Sequence, residues 1–162
     1  EDHYPTLADE TTPFLPHPIL QSTYDMEAQV KESSLSWSIL RGGFFYGPET
    51  FEDAWRDAAC QGTLQLPGDG TGRLSLIHVA DMARAVIMAA EQAPAHSIYN
   101  VVDDQPVTYA EFFAHLAAVT GSAQPTTGGP ASLPSFSCAN IRLKTELGWS
   151  PAYPTYRSGL AR

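Results

Sequence analysis

Few combinations among the 162 residues have the types and spacing to do chemistry. His78 stands three residues before Asp81 at the end of an apolar run, and an imidazole beside a carboxylate can act as a general base. The same spacing fits the start of a helix with Asp81 in the N-cap or first turn, and that structural use is the reading taken for both residues. Glu52–Asp53 and Asp103–Asp104 are adjacent carboxylates. Adjacent side chains point in different directions, so neither pair forms the facing acid and base of a glycosidase, and both read as solvated surface. Cys60 and Cys138 lie far apart, with no Cys-x-x-Cys and no His at ligand spacing. No metal site is expected of them; they could form one optional disulfide, and they read as buried or incidental thiols. Gly68-Asp-Gly70-Thr-Gly72 resembles a phosphate-cradling loop, but a strand rather than a helix follows it, so its glycines read as turn residues.

The elements that must carry these residues alternate. Pro5, Pro13, Pro16 and Pro18 keep residues 1–18 out of helix and central strand. A helix is predicted over 22–34 with Ser22 as N-cap, then a strand over 35–40 that runs into Gly42-Gly43-Phe44-Phe45-Tyr46-Gly47-Pro48. A helix over 50–60, a short strand at 64–66 and a strand over 73–79 follow. The next helix is amphipathic, and Val79, Met82, Ala83, Val86 and Ala90 are its expected packing stripe. After a strand at 97–102, Thr108 and Glu111 form a capping box for a helix bearing Phe112, Phe113, Leu116 and Val119, which closes at Gly121. Residues 122–136 read as a surface loop, 138–147 as a last short helix ended by Gly148, and a Pro-Tyr-rich tail closes the chain. Strand and helix in alternation predict an α/β fold with a parallel sheet.

Composition narrows the function. The chain is 43% hydrophobic, enough for one buried core, and carries a formal charge of −9. Eleven of its acids but only three of its bases fall in residues 1–57, and no Lys or Arg occurs from 85 to 141. Phosphate-backbone binding needs clustered cations, so nucleic acid is excluded as the main partner. No apolar run approaches the roughly 18 residues that span a bilayer, and a soluble, cytoplasmic protein is expected. The first residue is Glu1 rather than Met, and the opening residues read as the inside of a longer loop.

Four motifs stand in a telling order. They are Ile39-Leu-Arg41-Gly-Gly43-Phe-Phe-Tyr46-Gly-Pro48, Gly70-x-Gly72-Arg73-x5-Val79-x-Asp81-x-Ala83-Arg84-Ala85, Tyr99-Asn100-Val101, and Leu147-Gly148-Trp149-x-Pro151. Together they resemble the C-terminal half of the extended short-chain dehydrogenase/reductase family, the NAD(P)-dependent epimerases, dehydratases and reductases. The resemblance runs from about Glu10 to Leu160. It implies a partial Rossmann-like unit at 1–48 and 76–103 and a small substrate lobe at 49–75 and 104–162. The family's first half, with the glycine-rich turn that seats the cofactor pyrophosphate, has no counterpart in these residues.

The resemblance also implies roles. The backbone from Arg41 through Gly43, Phe44 and Phe45 would border the nicotinamide of NAD or NADP, and Asn100 would be a structural polar group. Tyr46 would open the substrate lobe and Arg73 would meet a nucleotide diphosphate, with a nucleotide sugar as the small-molecule substrate. For Arg41 a strand-end ion pair, and for Arg73 a plain surface position, remain open beside these roles. The family's catalytic Tyr and Lys, four residues apart, fall on Ile19 and Thr23, which can do neither job. Tyr24 is the substitute base, although Ala28 rather than Lys stands four residues on, and packing is its other use. The helix over 22–34 is the family's homodimer surface. Two functions follow: the substrate side of an NAD(P)-dependent oxidoreductase that needs its other half, or a non-catalytic ligand-binding or structural module. The acids crowd the first third, where a diphosphate would meet repulsion unless Arg41 and Arg73 offset it.

Overall fold

The structure, a computed structural model, describes residues 7–14, 17–130 and 133–160. Of the proline-rich opening, Pro5 and Pro16 lie outside the described residues. A 3-10 turn at Pro18–Leu20 leads into α1 (Gln21–Glu32), β1 (Ser38–Gly42), β2 (Phe44–Tyr46) and α2 (Phe51–Cys60). Then come β3 (Gln65–Pro67), β4 (Arg73–Leu74), β5 (Leu76–His78), α3 (Val79–Gln92) and β6 (Ser97–Val101). The chain continues through β7 (Val107–Thr108), α4 (Tyr109–Thr120), β8 (Thr126–Gly129), α5 (Ile141–Leu147) and α6 (Tyr156–Leu160).

The expected α/β fold is present. β1 pairs parallel with β6, Ser38 opposite Ser97 through Gly42 opposite Val101, and β2 pairs parallel with β5. β3 and β8 form a third parallel pair, and β4 and β7 an antiparallel one. Two apolar clusters hold these ladders. One gathers Leu74, Leu76, Tyr109, Phe112, Leu116 and Tyr156 around α4; the other gathers Ile77, Ala85, Tyr99, Leu143 and Trp149 between α3, β6 and α5. Removing one such buried aromatic to Ala costs about 3–5 kcal/mol, so both clusters are indispensable to a fold of ordinary stability.

The ends of α4 match their sequence signals. Thr108 Oγ1 accepts from the Glu111 N–H, the Glu111 carboxylate accepts from the Thr108 N–H, and Gly121 caps the other end at φ 66°. Elsewhere the expectations need correction. α1 begins at Gln21 without a side-chain cap from Ser22, because His17 Nδ1 accepts the Ile19 N–H and the chain is already coiled. α5 begins at Ile141 rather than 138, since Cys138 is held in a bridge with Ala8. Within the presumed loop, Thr126–Gly129 forms a strand on β3, where a Cβ at Gly129 would lie 2.8 Å from the Leu66 carbonyl oxygen.

The packing stripe of α3 is also rotated from the expected one. Asp81, Ala85 and Ala89 face inward, whereas Val86 is 47% exposed. Ten of the fourteen residues of this helix are apolar, so apolarity alone could not choose a face. The Asp81 carboxylate chooses it by accepting the backbone N–H groups of Ala152 and Tyr153 at 2.8 and 2.9 Å. No helix among the described residues is long and apolar enough to cross a membrane.

Candidate functional site

The carboxyl end of β1 gathers the first set of predicted residues. Arg41 reaches back to α1, where its Nε and Nη2 bind the two oxygens of Glu27 at 3.0 and 2.6 Å. Its Nη1 donates to the Glu10 carbonyl at 3.1 Å, and its guanidinium carbon lies 4.4 Å over the Phe14 ring. Glu27, the one buried residue of α1, also takes Lys31 at 2.6 Å. Burial pushes the Glu27 pKa up, but the two cations outweigh it and hold the carboxyl below its ordinary value. Of the two uses left open for Arg41, the ion pair is the one this geometry displays. Tyr24 is half-buried and stacks on the other partner of Arg41, Phe14, with ring centroids 4.3 Å apart. Asn100 is buried; its N–H donates to Glu10 Oε1 and its Nδ2 to the Ala8 carbonyl.

The next four residues divide their work. Gly43 donates to the Val101 carbonyl, and a Cβ there would stand 2.4 Å from the Ser75 carbonyl oxygen, so only glycine fits. Phe44 turns inward against Trp55, Tyr109 and Phe136. Phe45 is 40% exposed and lies beside Gly42, which also neighbours Met82. Tyr46, expected at the mouth of the lobe, has no exposed surface, and its hydroxyl donates to the Thr155 carbonyl at 3.3 Å. Burial is the main cause that drives its phenol pKa far above the ordinary value. The ring is enclosed by the tail rather than exposed at the opening of the lobe.

The Phe45 ring, in the middle of β2, is an exposed apolar edge. Among the described residues no glycine-rich turn opens a helix.

Arg73, on β4, sits in a different setting. Its Nε donates to Ser137 Oγ at 3.0 Å and its Nη2 to the Pro106 carbonyl at 3.4 Å. The six ion pairs among the described residues take up Lys31, Arg41, Arg56, Arg84, Arg142 and Lys144, and none takes Arg73. The guanidinium is half-buried and its hydrogen-bond partners are neutral, while its charge adds to the Thr108 hydrogen bonds that hold the Glu111 carboxyl below its ordinary value.

His78 and Asp81 take the structural roles expected of them. His78 Nδ1 accepts the Ala80 N–H as the cap of α3, and its ring lies 3.9 Å from that of Tyr153. Two carboxylates overturn the surface reading of their pairs. Glu52 is fully buried, accepting the Gly47 N–H and pairing with Arg56, and Asp103 is 2% exposed. Burial pushes the Asp103 pKa up to about 8, against the pull of the Gln105 and Tyr156 N–H groups, with Asp104 and Asp81 adding to the rise. It borders a cavity of about 350 Å³ with Asp104, Pro106, Cys138, Asn140 and Lys144. Cys60 is exposed rather than buried, Cys138 is half-buried, and no metal-ligand cluster occurs among the described residues. No sequence signal marked Glu52 or Asp103, because burial of a carboxylate depends on distant partners.

The parallel pairs β1–β6 and β2–β5, flanked by helices, define a Rossmann-like α/β architecture. Residues 20–101 match the model of the NAD dependent epimerase/dehydratase family, and the chain belongs to that family. It is 32% identical over 181 residues to 3-diazoavenalumate denitrifying reductase of a Streptomyces species, covering 98% of this chain and 59% of that protein. The dTDP-glucose 4,6-dehydratase of Streptomyces venezuelae, solved with NAD bound, superposes with a TM-score of 0.82 at 22% identity. That match covers 97% of this chain and 53% of the other. The UDP-glucose 4-epimerase of Thermotoga maritima, solved with UDP-glucose, gives 0.77 at 22% identity over 99% of this chain and 57% of that one. The chain thus spans about three fifths of the length of the curated relative.

Proposed function

We propose that this chain supplies the substrate side of an NAD(P)-dependent oxidoreductase, of epimerase, dehydratase or reductase type, acting on a nucleotide sugar. Residues 1–48 and 76–103 serve as the Rossmann-like part and 49–75 with 104–162 as the substrate lobe. The observation that carries the reading is Arg73. Its hydrogen-bond partners are neutral and, among the described residues, no carboxylate lies within ion-pair distance of it, Glu111 acting on it only at longer range, which supports a contact with a diphosphate. When bound, NAD or NADP supplies the hydride acceptor and donor; Gly43 to Phe45 would border its nicotinamide, and residues other than those described would hold its pyrophosphate. Tyr24, stacked on Phe14, is the candidate for proton transfer. The outward face of α1 and the turn before it, where Ile19 is 58% and Met26 60% exposed, supports a homodimer in a cytoplasmic protein.

Calorimetric titration with UDP tests the reading. Saturable binding should weaken about tenfold in Arg73→Lys, because an ammonium lacks the two-point fork, while any binding of uridine stays unchanged. Absence of UDP binding, or indifference to Arg73→Lys, would overturn it.

One observation favours a second reading, a non-catalytic module. Ile19 and Thr23 occupy the positions of the family's Tyr and Lys, and both are exposed. In that case the full-length protein would bind UDP-glucose yet leave NAD unreduced in its presence.

A further inference from the structure

We infer that Ser137 is a positioning residue: its hydroxyl fixes the Arg73 guanidinium so that one donor edge is presented to a diphosphate. The inference rests on the proposed role of Arg73 and adds to it the residue that sets its geometry. A guanidinium has two edges able to make two-point contacts, Nε with Nη2 and Nη1 with Nη2. In Arg73 the first edge is occupied by the protein, Nε on Ser137 Oγ at 3.0 Å and Nη2 on the Pro106 carbonyl at 3.4 Å. Among the described residues the second edge meets no hydrogen-bond partner.

Arg41 shows the contrast. Its Nε and Nη2 edge is closed by Glu27, and its Nη1 by the Glu10 carbonyl, so both edges are spent. The hydrogen-bond partners of Arg73 are neutral, the Glu111 carboxylate acts on it only through its charge beyond ion-pair distance, and the backbone is clamped as well. The Arg73 N–H donates to Ser135 Oγ at 2.9 Å, and the Arg73 carbonyl accepts the Phe136 N–H at 3.0 Å. Ser137 is itself anchored, its carbonyl accepting the Ala8 N–H at 2.8 Å. A hydroxyl in this place orients the fork without neutralising it, whereas a carboxylate would do both. Without the hydroxyl the Arg73 side chain regains rotamers, and a bound diphosphate must order it again.

The test is a double-mutant cycle read by UDP titration of the chain, with uridine as the control ligand. Ser137→Ala should weaken UDP about five- to tenfold, leave uridine binding and the melting temperature unchanged, and have no further effect in the Arg73→Lys background. Ser137→Thr, which keeps the hydroxyl, should restore binding. In a ¹H–¹⁵N spectrum of the ligand-free chain, the Arg73 Nε–H should be protected from exchange in the wild type and in Ser137→Thr but not in Ser137→Ala. If Arg73→Lys weakens UDP while Ser137→Ala does not, the positioning role is overturned and the reading of Arg73 stands. If Arg73→Lys has no effect, or the wild-type chain takes up no UDP, the reading of Arg73 falls and this inference with it.

Discussion

Asp103→Asn should make the protein more stable at neutral and alkaline pH and leave it unchanged in acid. An aspartate in the unfolded chain ionises near its ordinary value of 3.8, whereas in the fold Asp103 keeps its proton up to about 8. Between those limits the folded state holds the extra proton, so stability falls as pH rises. The contribution is fully present below about pH 4 and lost by about pH 8. Each pH unit is worth about 1.4 kcal/mol, so the whole window amounts to about 5–6 kcal/mol. Asn retains the oxygen that accepts the Gln105 N–H at 3.1 Å and carries no proton to lose. Urea unfolding of both proteins from pH 4 to 8 isolates this one group, because every other titration is common to them. The stability difference should be near zero at pH 4 and grow steadily in favour of the Asp103→Asn variant toward pH 8. A flat difference, or one that favours the wild type as pH rises, would refute a buried, neutral Asp103.

Three further outcomes follow from particular contacts. Glu27→Gln should free α1, since among its residues only Glu27 is buried; a loss of about 2–3 kcal/mol would speed exchange of the α1 amides on the order of a hundredfold and spare α4. Gly159→Ala would set a Cβ 2.4 Å from the Tyr46 ring, and overpacking of that kind, about 1–3 kcal/mol, should lower the melting temperature by roughly 3–10 °C. Asp81→Asn weakens the anchorage of Ala152 and Tyr153, and the amides of the tail should exchange faster than those of β6.

Where a local rule suffices, the chain is legible from its residues. The capping box at Thr108, the terminal glycines at 121 and 148, and the strand–helix alternation all follow from short-range geometry. The misreadings lie where a distant partner decides. Glu52 and Asp103 look like surface acids until the Gly47 N–H and Arg56, or the Gln105 N–H, are folded against them. Tyr46 belongs to an aromatic run that resembles a ligand-facing lip, yet the tail brings the Thr155 carbonyl and Gly159 onto its ring. The face of α3 is set by Asp81 and the tail backbone, 71 and 72 residues away in sequence. For Arg41 the sequence left open a place beside the nicotinamide or a strand-end ion pair, and for Arg73 a diphosphate contact or a plain surface position. Only the acids around them in space separate a guanidinium closed by Glu27 from one left open.

The most direct test of the proposed substrate side is a titration of the ¹⁵N-labelled chain with UDP-glucose, followed by amide and arginine side-chain shifts. Saturable changes centred on Gly72, Arg73, Ser135 and Ser137 are expected, with the amides of α1 unmoved. No saturable change, or changes confined to α1 and the Arg41–Glu27 pair, would contradict it.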